Sequence, residues 1–526
     1  MDAWAALVLS LAAVAVIVRS VGPVVWHGTA LLAGMLTFIP LAQYSFGLII
    51  FAGTAWISTA YLGGFLLALL TGARWESASP GHLADGLFLA VGIAALLSVG
   101  LQLHQWLWLD LLDIWSMGEG FGRPFANFGQ PNNLGTFLLW GVLAAAWGLV
   151  RRRISAGPAL LMAIYLLFGL ALTQSRTAWI GVVLLVGASW GWRRLWTDRR
   201  VPWVVMGLGV YFALCVVSVS WLNHFFLLVL PSDGIDLVRM SGELRTVAWT
   251  LFMDSAMQQP FFGYGWNQVG LAQLNAALGH PSLGILFSHS HNLFLDLVLW
   301  CGLPLGLFVS ICLVRWMWRR LRAVGNAKDA VLLMFLLVVA NHAMLEFPLH
   351  HAYFLLPVGL IMGVVDVRLR ARPMLVVGRW SVVAVWLASA ALLGLVIRDY
   401  AQVESSYQAL RFEWARIKSV TRGSPPDVVL LNQWREFVRF ARFEPTRGMS
   451  GDDLEWMRRV TRTYPGAGQF HKLAAALAMN QHPDEAGIWL RKMCKMVPES
   501  QCEAVKSAWA DQSLDNFEMA AVLWPD

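Results

Sequence analysis

The chain has 526 residues, 58% of them hydrophobic and only 13% charged, about half the charged share of a soluble domain. That balance excludes an ordinary water-soluble enzyme and describes a polytopic membrane protein, whose 28 Trp and 28 Phe supply interfacial aromatic belts. The net charge of +7 does not call for nucleic acid as a partner. Much of the excess sits in short Arg-rich connections between apolar runs, as the positive-inside bias requires.

In chain order, apolar runs of spanning length fall near 3–18, 28–45, 52–72, 84–104, 133–150, 157–173, 177–192, 202–222, 292–313, 329–345, 352–367 and 380–397. The first has no basic flank and no evident cleavage site, so it reads as a span rather than a signal peptide. Pro40, Gln43 and Gly47 interrupt the stretch from 28 to 72. The fold class is therefore an all-α polytopic membrane protein of about twelve transmembrane helices, with a range of eleven to thirteen.

Arg151 to Arg153, then Arg193 to Arg200, Arg315 to Lys328 and Arg368 to Arg379 mark alternate connections, which are assigned to the cytoplasm. The segments between them then face the other side. These are 105–132, the junction Gln174-Ser175-Arg176, the long loop 223–291, the turn Glu346 to His351 and the tail after 398. Three regions follow: an N-terminal transmembrane region over 1–132, a core over 133–397 that carries the large loop, and a small helical domain over 398–526. In that domain Phe470 to Met479 and Glu485 to Met496 read as antiparallel helices of tetratricopeptide type or as an ordinary helical pair. Cys494 and Cys502 lie eight apart there and pair only if the tail meets an oxidising compartment.

The outward segments hold the polar chemistry. His289 and His291, in Ser288-His289-Ser290-His291-Asn292, stand at the start of an apolar run. An imidazole there either ends a helix at the interface or moves a proton near neutral pH. Arg176 and Arg245 run against the positive-inside bias and are either solvated or paired with an anion. Arginine suits a pyrophosphate, because its planar fork matches phosphate oxygens and stays charged. Asp254 and Asp296 are far apart in sequence and no acidic pair stands out, so neither a metal nor another cofactor is expected.

The pieces Phe128-Gly129-Gln130-Pro131-Asn132-Asn133, Gln174-Ser175-Arg176, Pro260-Phe261-Phe262-Gly263-Tyr264-Gly265, Ser288 to Asn292 and Leu345-Glu346-Phe347-Pro348-Leu349 occur in that order. Together they resemble the bacterial O-antigen ligase / polymerase superfamily, and within it the PglL-type protein O-oligosaccharyltransferases, or pilin glycosyltransferases. The resemblance implies an inner-membrane enzyme with a periplasmic active site. It would move a glycan en bloc from undecaprenyl-diphosphate to Ser/Thr hydroxyls of a periplasmic, pilin-like protein, without metal. On this resemblance His291, with His289 the second candidate, matches the essential histidine, and Arg176 and Arg245 match arginines that hold the diphosphate. Gln130 and Tyr353 match polar residues of the pilin-modifying branch. Asn133, Gln174 and Glu346 join them as candidate substrate contacts within the same motifs.

Competing readings are an O-antigen ligase acting on lipid A-core, a glycan polymerase and, from another class, a membrane transporter. Transporters place polar groups near the midplane in broken helices. Here the His and Arg residues gather at one face, which favours an interfacial enzyme in contact with membrane lipid.

Overall fold

The computed structural model describes residues 1–19, 22–109, 114–117, 123–226, 233–417 and 424–524, with residue 19 and residues 233–244 described by backbone alone. Parts of the segment 105–132 and of the loop 223–291 lie outside these residues.

The chain is mostly helical. It runs through α1 (Asp2–Arg19), β1 (Val24–His27), α2 (Gly28–Ser45), α3 (Ala52–Ala78) and α4 (His82–Trp106). Next come α5 (Pro131–Val150), α6 (Ala156–Leu172), α7 (Arg176–Gly191) and α8 (Val201–Phe225). After α9 (Asp233–Gln258) and α10 (Val269–Ala276) follow α11 (Leu293–Ala323), α12 (Ala327–Ala343), α13 (Ala352–Arg368), β2 (Pro373–Val377) and α14 (Trp380–Trp414). The tail holds α15 (Asn432–Arg442), α16 (Gly451–Thr463), α17 (Ala467–Met479), α18 (Pro483–Met496), α19 (Glu499–Ser513) and α20 (Phe517–Ala520).

Among the described residues, α3, α4, α5, α8, α11 and α14 are long and apolar enough to cross a membrane; α1, α6 and α7 are apolar but shorter. The apolar, β-branched stretch Val24–His27 pairs antiparallel with Pro373–Val377, with Val24 opposite Val377. The helical periodicities do not anticipate this short sheet.

The chain divides into two compact units. The first comprises 1–32, 64–241 and 313–386. Its core forms where α5 meets α4 and α12: the Trp140 ring stacks on Phe335 at 3.9 Å, and its indole N–H donates to the Phe335 carbonyl. Arg151, in one of the Arg-rich connections, forks onto Asp85 at 2.8 and 2.6 Å, and Arg368 bridges Asp329 and Glu76. Several basic-loop arginines are thus also fixed by carboxylates.

The second unit comprises 33–63, 242–312 and 387–526. Phe470, Leu473 and Leu477 of α17 and Trp489, Leu490 and Met493 of α18 bury one another and enclose Leu274 of α10. Cys494 and Cys502 form a disulfide, with Cα atoms 5.1 Å apart. Within this unit α11 is broken at Gly302, where φ is +77°, two residues before Pro304. The turn Pro260 to Tyr264 fits into that break: Leu303 N–H donates to the Pro260 carbonyl and Tyr264 N–H to the Leu299 carbonyl, both at 2.7 Å.

Candidate active site

Two groups of polar residues stand out, one in each unit. The first is built at the N-terminus of α5. Gln130 is extended and Pro131 opens the helix, as its fixed φ and missing N–H permit. Asn132 donates to Glu346 Oε1 at 3.0 Å and accepts from the Ser175 hydroxyl at 2.7 Å. Ser175 in turn caps α7, accepting from Ala178 N–H. Asn133 donates to the Tyr353 hydroxyl at 3.2 Å, and Tyr353 stacks on His351 at 5.1 Å. One turn along α5, Thr136 meets His342 Nδ1 at 2.8 Å.

This unit therefore assembles Asn133, Glu346, Tyr353 and the Gln174–Arg176 junction around the start of α5. Gln174 has a φ of +49°, which lets the chain turn between α6 and α7. Arg176 follows as the first residue of α7, and its side chain is exposed.

Arg123 belongs to the same group and was not singled out by sequence. Its Nε and Nη2 donate together to the Thr173 carbonyl at 3.0 and 2.8 Å, tying it to the α6–α7 junction. Burial lowers the guanidinium from its ordinary value; the Glu346 carboxylate acts the other way, and Arg176 adds to the lowering. The segment that carries Arg123 is clamped by two buried amides of α4. Gln102 donates to the Pro124 and Gly169 carbonyls, while Gln105 accepts from Phe125 and Ala126 N–H.

The second group precedes α11. The His289 and His291 rings meet edge to face, with centroids 4.3 Å apart, and Phe287 packs against His291 at 5.7 Å. His289 is buried; His291 is partly exposed and has a φ of +59°. Asn292 caps α11 by accepting from Phe294 and Leu295 N–H. Asp296, weighed by sequence only as a metal ligand, accepts from Ser290 N–H at 2.7 Å and interacts electrostatically with His291.

Two helices hold this segment from outside. Trp249 of α9 donates to the Ser290 carbonyl at 2.8 Å. Gln273 of α10 donates to the Ile285 carbonyl and accepts from Phe287 N–H. Arg245 lies four residues before Trp249, on the same face of α9. An imidazole so held, in contact with a carboxylate-bearing turn, is equipped to accept and release a proton.

The comparisons with known proteins follow the same residues. A family model described as O-antigen ligase matches residues 161–310, which include Arg176, Arg245, His289 and His291. A second, described as virulence factor membrane-bound polymerase, C-terminal, matches 330–512, which include Glu346 and Tyr353. A general O-oligosaccharyltransferase of Acinetobacter baylyi is 28% identical over 474 residues, 87% of this chain and 81% of the relative. A ComP-specific O-oligosaccharyltransferase of the same organism is 31% identical over 246 residues, 47% of this chain and 44% of the relative.

The chain is thus similar to the O-antigen ligase superfamily and, through these two relatives, to its O-oligosaccharyltransferases. Like them, it is a membrane-embedded glycosyltransferase. Gln130 and Asn133 lie outside both matched regions; Asn133 is placed by its bond to Tyr353 and Gln130 by its position just ahead of α5. No group of three or more His, Cys, Asp or Glu residues spaced to hold a metal ion occurs among the described residues.

Proposed function

We propose that this enzyme transfers a glycan en bloc from undecaprenyl-diphosphate to Ser or Thr hydroxyls of a periplasmic, pilin-like protein. The observation that carries this reading is the His289–His291 pair at the mouth of α11, fixed by Trp249, Asp296 and the Asn292 cap. The acceptor oxygen attacks the anomeric carbon, and its proton passes to His291. The bond from that carbon to the diphosphate oxygen breaks, and the lipid diphosphate leaves with the electron pair.

Arg176 and Arg245 neutralise charge on the departing diphosphate, which is the role a preorganised guanidinium performs best. Gln130, Asn133, Gln174, Glu346 and Tyr353 make or shape substrate contacts. A single displacement inverts the anomeric configuration, and a retained configuration in the product counts against it. The Cys494–Cys502 disulfide supports a periplasmic tail, because disulfides persist in oxidising compartments. A periplasmic tail agrees with an inner-membrane enzyme of about twelve spans and with the three-region organisation read from the sequence.

The test is a transfer assay in detergent with undecaprenyl-diphosphate glycan, offering a pilin and a lipid A-core acceptor side by side. Glycosylated pilin that disappears with His291→Asn is the expected result. Transfer to lipid A-core alone would identify an O-antigen ligase instead. Full activity in the variant would remove His291 from the chemistry.

A further inference from the structure

A pocket of about 450 Å³ opens in the second unit where the end of α9 faces the end of α10 and the 3-10 turn Ala277–Gly279. Its polar groups are Asp254, Gln258, Asn275 and His280, and its apolar surface is little more than Met257 and Ala276. His280 Nε2 lies 3.1 Å from Asp254 Oδ2, and the Asp254 side chain stays largely exposed. Asn275 also engages the Tyr264 hydroxyl, which donates to the Ser255 carbonyl, so the amide is held in place.

The chemistry of the lining selects among ligands. Among the described residues no Arg or Lys lines the pocket, so a phosphate or diphosphate finds no countercharge there. A polyprenyl tail finds too little apolar wall. Two primary amides, each donor and acceptor, together with a carboxylate and an imidazole, match the hydroxyl groups of a neutral sugar, each of which also donates and accepts.

The position is as informative as the chemistry. Asp254 lies five residues beyond Trp249, about 7.5 Å farther along the axis of α9, and Trp249 holds the Ser290 carbonyl. Asn275 lies two residues beyond Gln273, which clamps Ile285 and Phe287. The two helices that brace the histidine segment thus also form the pocket. We infer that the Asp254–Gln258–Asn275–His280 pocket is a subsite for a distal, uncharged sugar of the transferred glycan. The inference rests on the glycosyl-transfer reading above.

The experiment compares undecaprenyl-diphosphate-linked trisaccharide and monosaccharide donors that share the same first sugar, with pilin as acceptor. The readout is the ratio of the two kcat/KM values. Wild type favours the trisaccharide, and Asp254→Asn and Asn275→Ala each reduce that preference about ten-fold, through KM of the longer donor. Gln258→Ala, on the exposed face of α9, gives a third variant should either of the others fail to fold. An unchanged ratio in folded variants, an equal loss on both donors, or a wild type indifferent to glycan length overturns the subsite. A wild type that transfers neither glycan overturns the glycosyl-transfer reading itself and the subsite with it.

Discussion

Asn132 donates to Glu346 across a sequence separation of 214 residues, with a donor–acceptor distance of 3.0 Å. Through the Ser175 hydroxyl, which Asn132 accepts, this contact joins three motifs that are remote in the chain. A buried carboxylate without its donor costs more than the hydrogen bond itself contributes, so the pair is asymmetric. Asn132→Ala removes one donor from Glu346, which is 3% exposed and also faces the Arg123 charge, and should lower stability by about 2 kcal/mol. Glu346→Gln keeps an acceptor for Asn132 and should cost about half as much. Thermal unfolding in detergent orders the two variants; an equal loss in both would mean that the carboxylate charge, not the acceptor, holds the junction.

His291 adopts a left-handed backbone, which costs most L-residues about 1–2 kcal/mol and which Asn tolerates better than Ala. His291→Ala therefore mixes lost chemistry with added strain. His291→Asn removes the imidazole while keeping a residue suited to the conformation. Both variants should lose transfer by at least about 100-fold, but only the Ala variant should also lose about 1 kcal/mol of stability. Equal unfolding temperatures for the two would argue against strain at this position.

The apolar runs read from the sequence lie in helices, because burial in lipid or in a helical core leaves a long uninterrupted signature. The α17–α18 hairpin was equally legible: Leu473, Ala476 and Leu477 face Ala486, Trp489 and Leu490, and all six are buried. Arg123 was not, although it too is an arginine in a segment that the charge pattern reads as outward, and the exception that singles out Arg176 applies to it as well. Gln102, Gln105 and Trp249 left no local mark, and Asp296 was noticed only as half of an acidic pair that does not form. Each acts through a backbone group brought near by tertiary folding, and periodicity reports a face rather than a partner. The Pro260 to Gly265 piece drew notice as a motif, and its structural task, filling the break in α11, depends on Gly302 some 40 residues away.

Gly263 and Gly302 are where that docking is most sensitive. Both have positive φ, and a Cβ at Gly263 would stand 2.5 Å from the Leu299 carbonyl oxygen, while one at Gly302 would stand 2.3 Å from the Phe261 carbonyl oxygen. These neighbours are backbone and cannot swing aside. Gly263→Ala should destabilise the protein by at least about 3 kcal/mol, with Gly302→Ala no milder. Gly279→Ala, which meets nothing within 4 Å, is the control, and wild-type stability for Gly263→Ala would show that the turn can rearrange.

His350 gives the fold a pH dependence of definite sign. Burial, with a smaller contribution from His351, pushes its imidazole down to about 4. In the unfolded chain the same group takes a proton near pH 6.5. Between those values the unfolded state binds more protons, so stability rises with pH through this window. The contribution is fully present above pH 6.5 and is lost as the pH falls toward 4; it amounts to no more than about 3 kcal/mol. His350→Gln should flatten the unfolding temperature between pH 6.5 and 4.5 relative to wild type, and parallel curves would rule out His350 as the source.

The disulfide bears on the histidine segment through a short chain of contacts. Cys494 and Lys495 carbonyls accept from the Ser282 hydroxyl, and the Lys495 carbonyl also accepts from Leu283 N–H at 3.1 Å. Leu283 lies just ahead of the Ile285–Phe287 stretch that Gln273 clamps. Closing so short a loop restricts the unfolded chain by about 2.5 kcal/mol, so replacing Cys494 and Cys502 with Ser should cost a comparable stability. Hydrogen exchange should quicken at Leu283 more than at Ser290, whose N–H is held by Asp296. Exchange read by mass spectrometry, with and without reductant, checks this directly. Protection at Leu283 that survives both reduction and substitution would mean that the α18 carbonyls hold the segment without help from the disulfide.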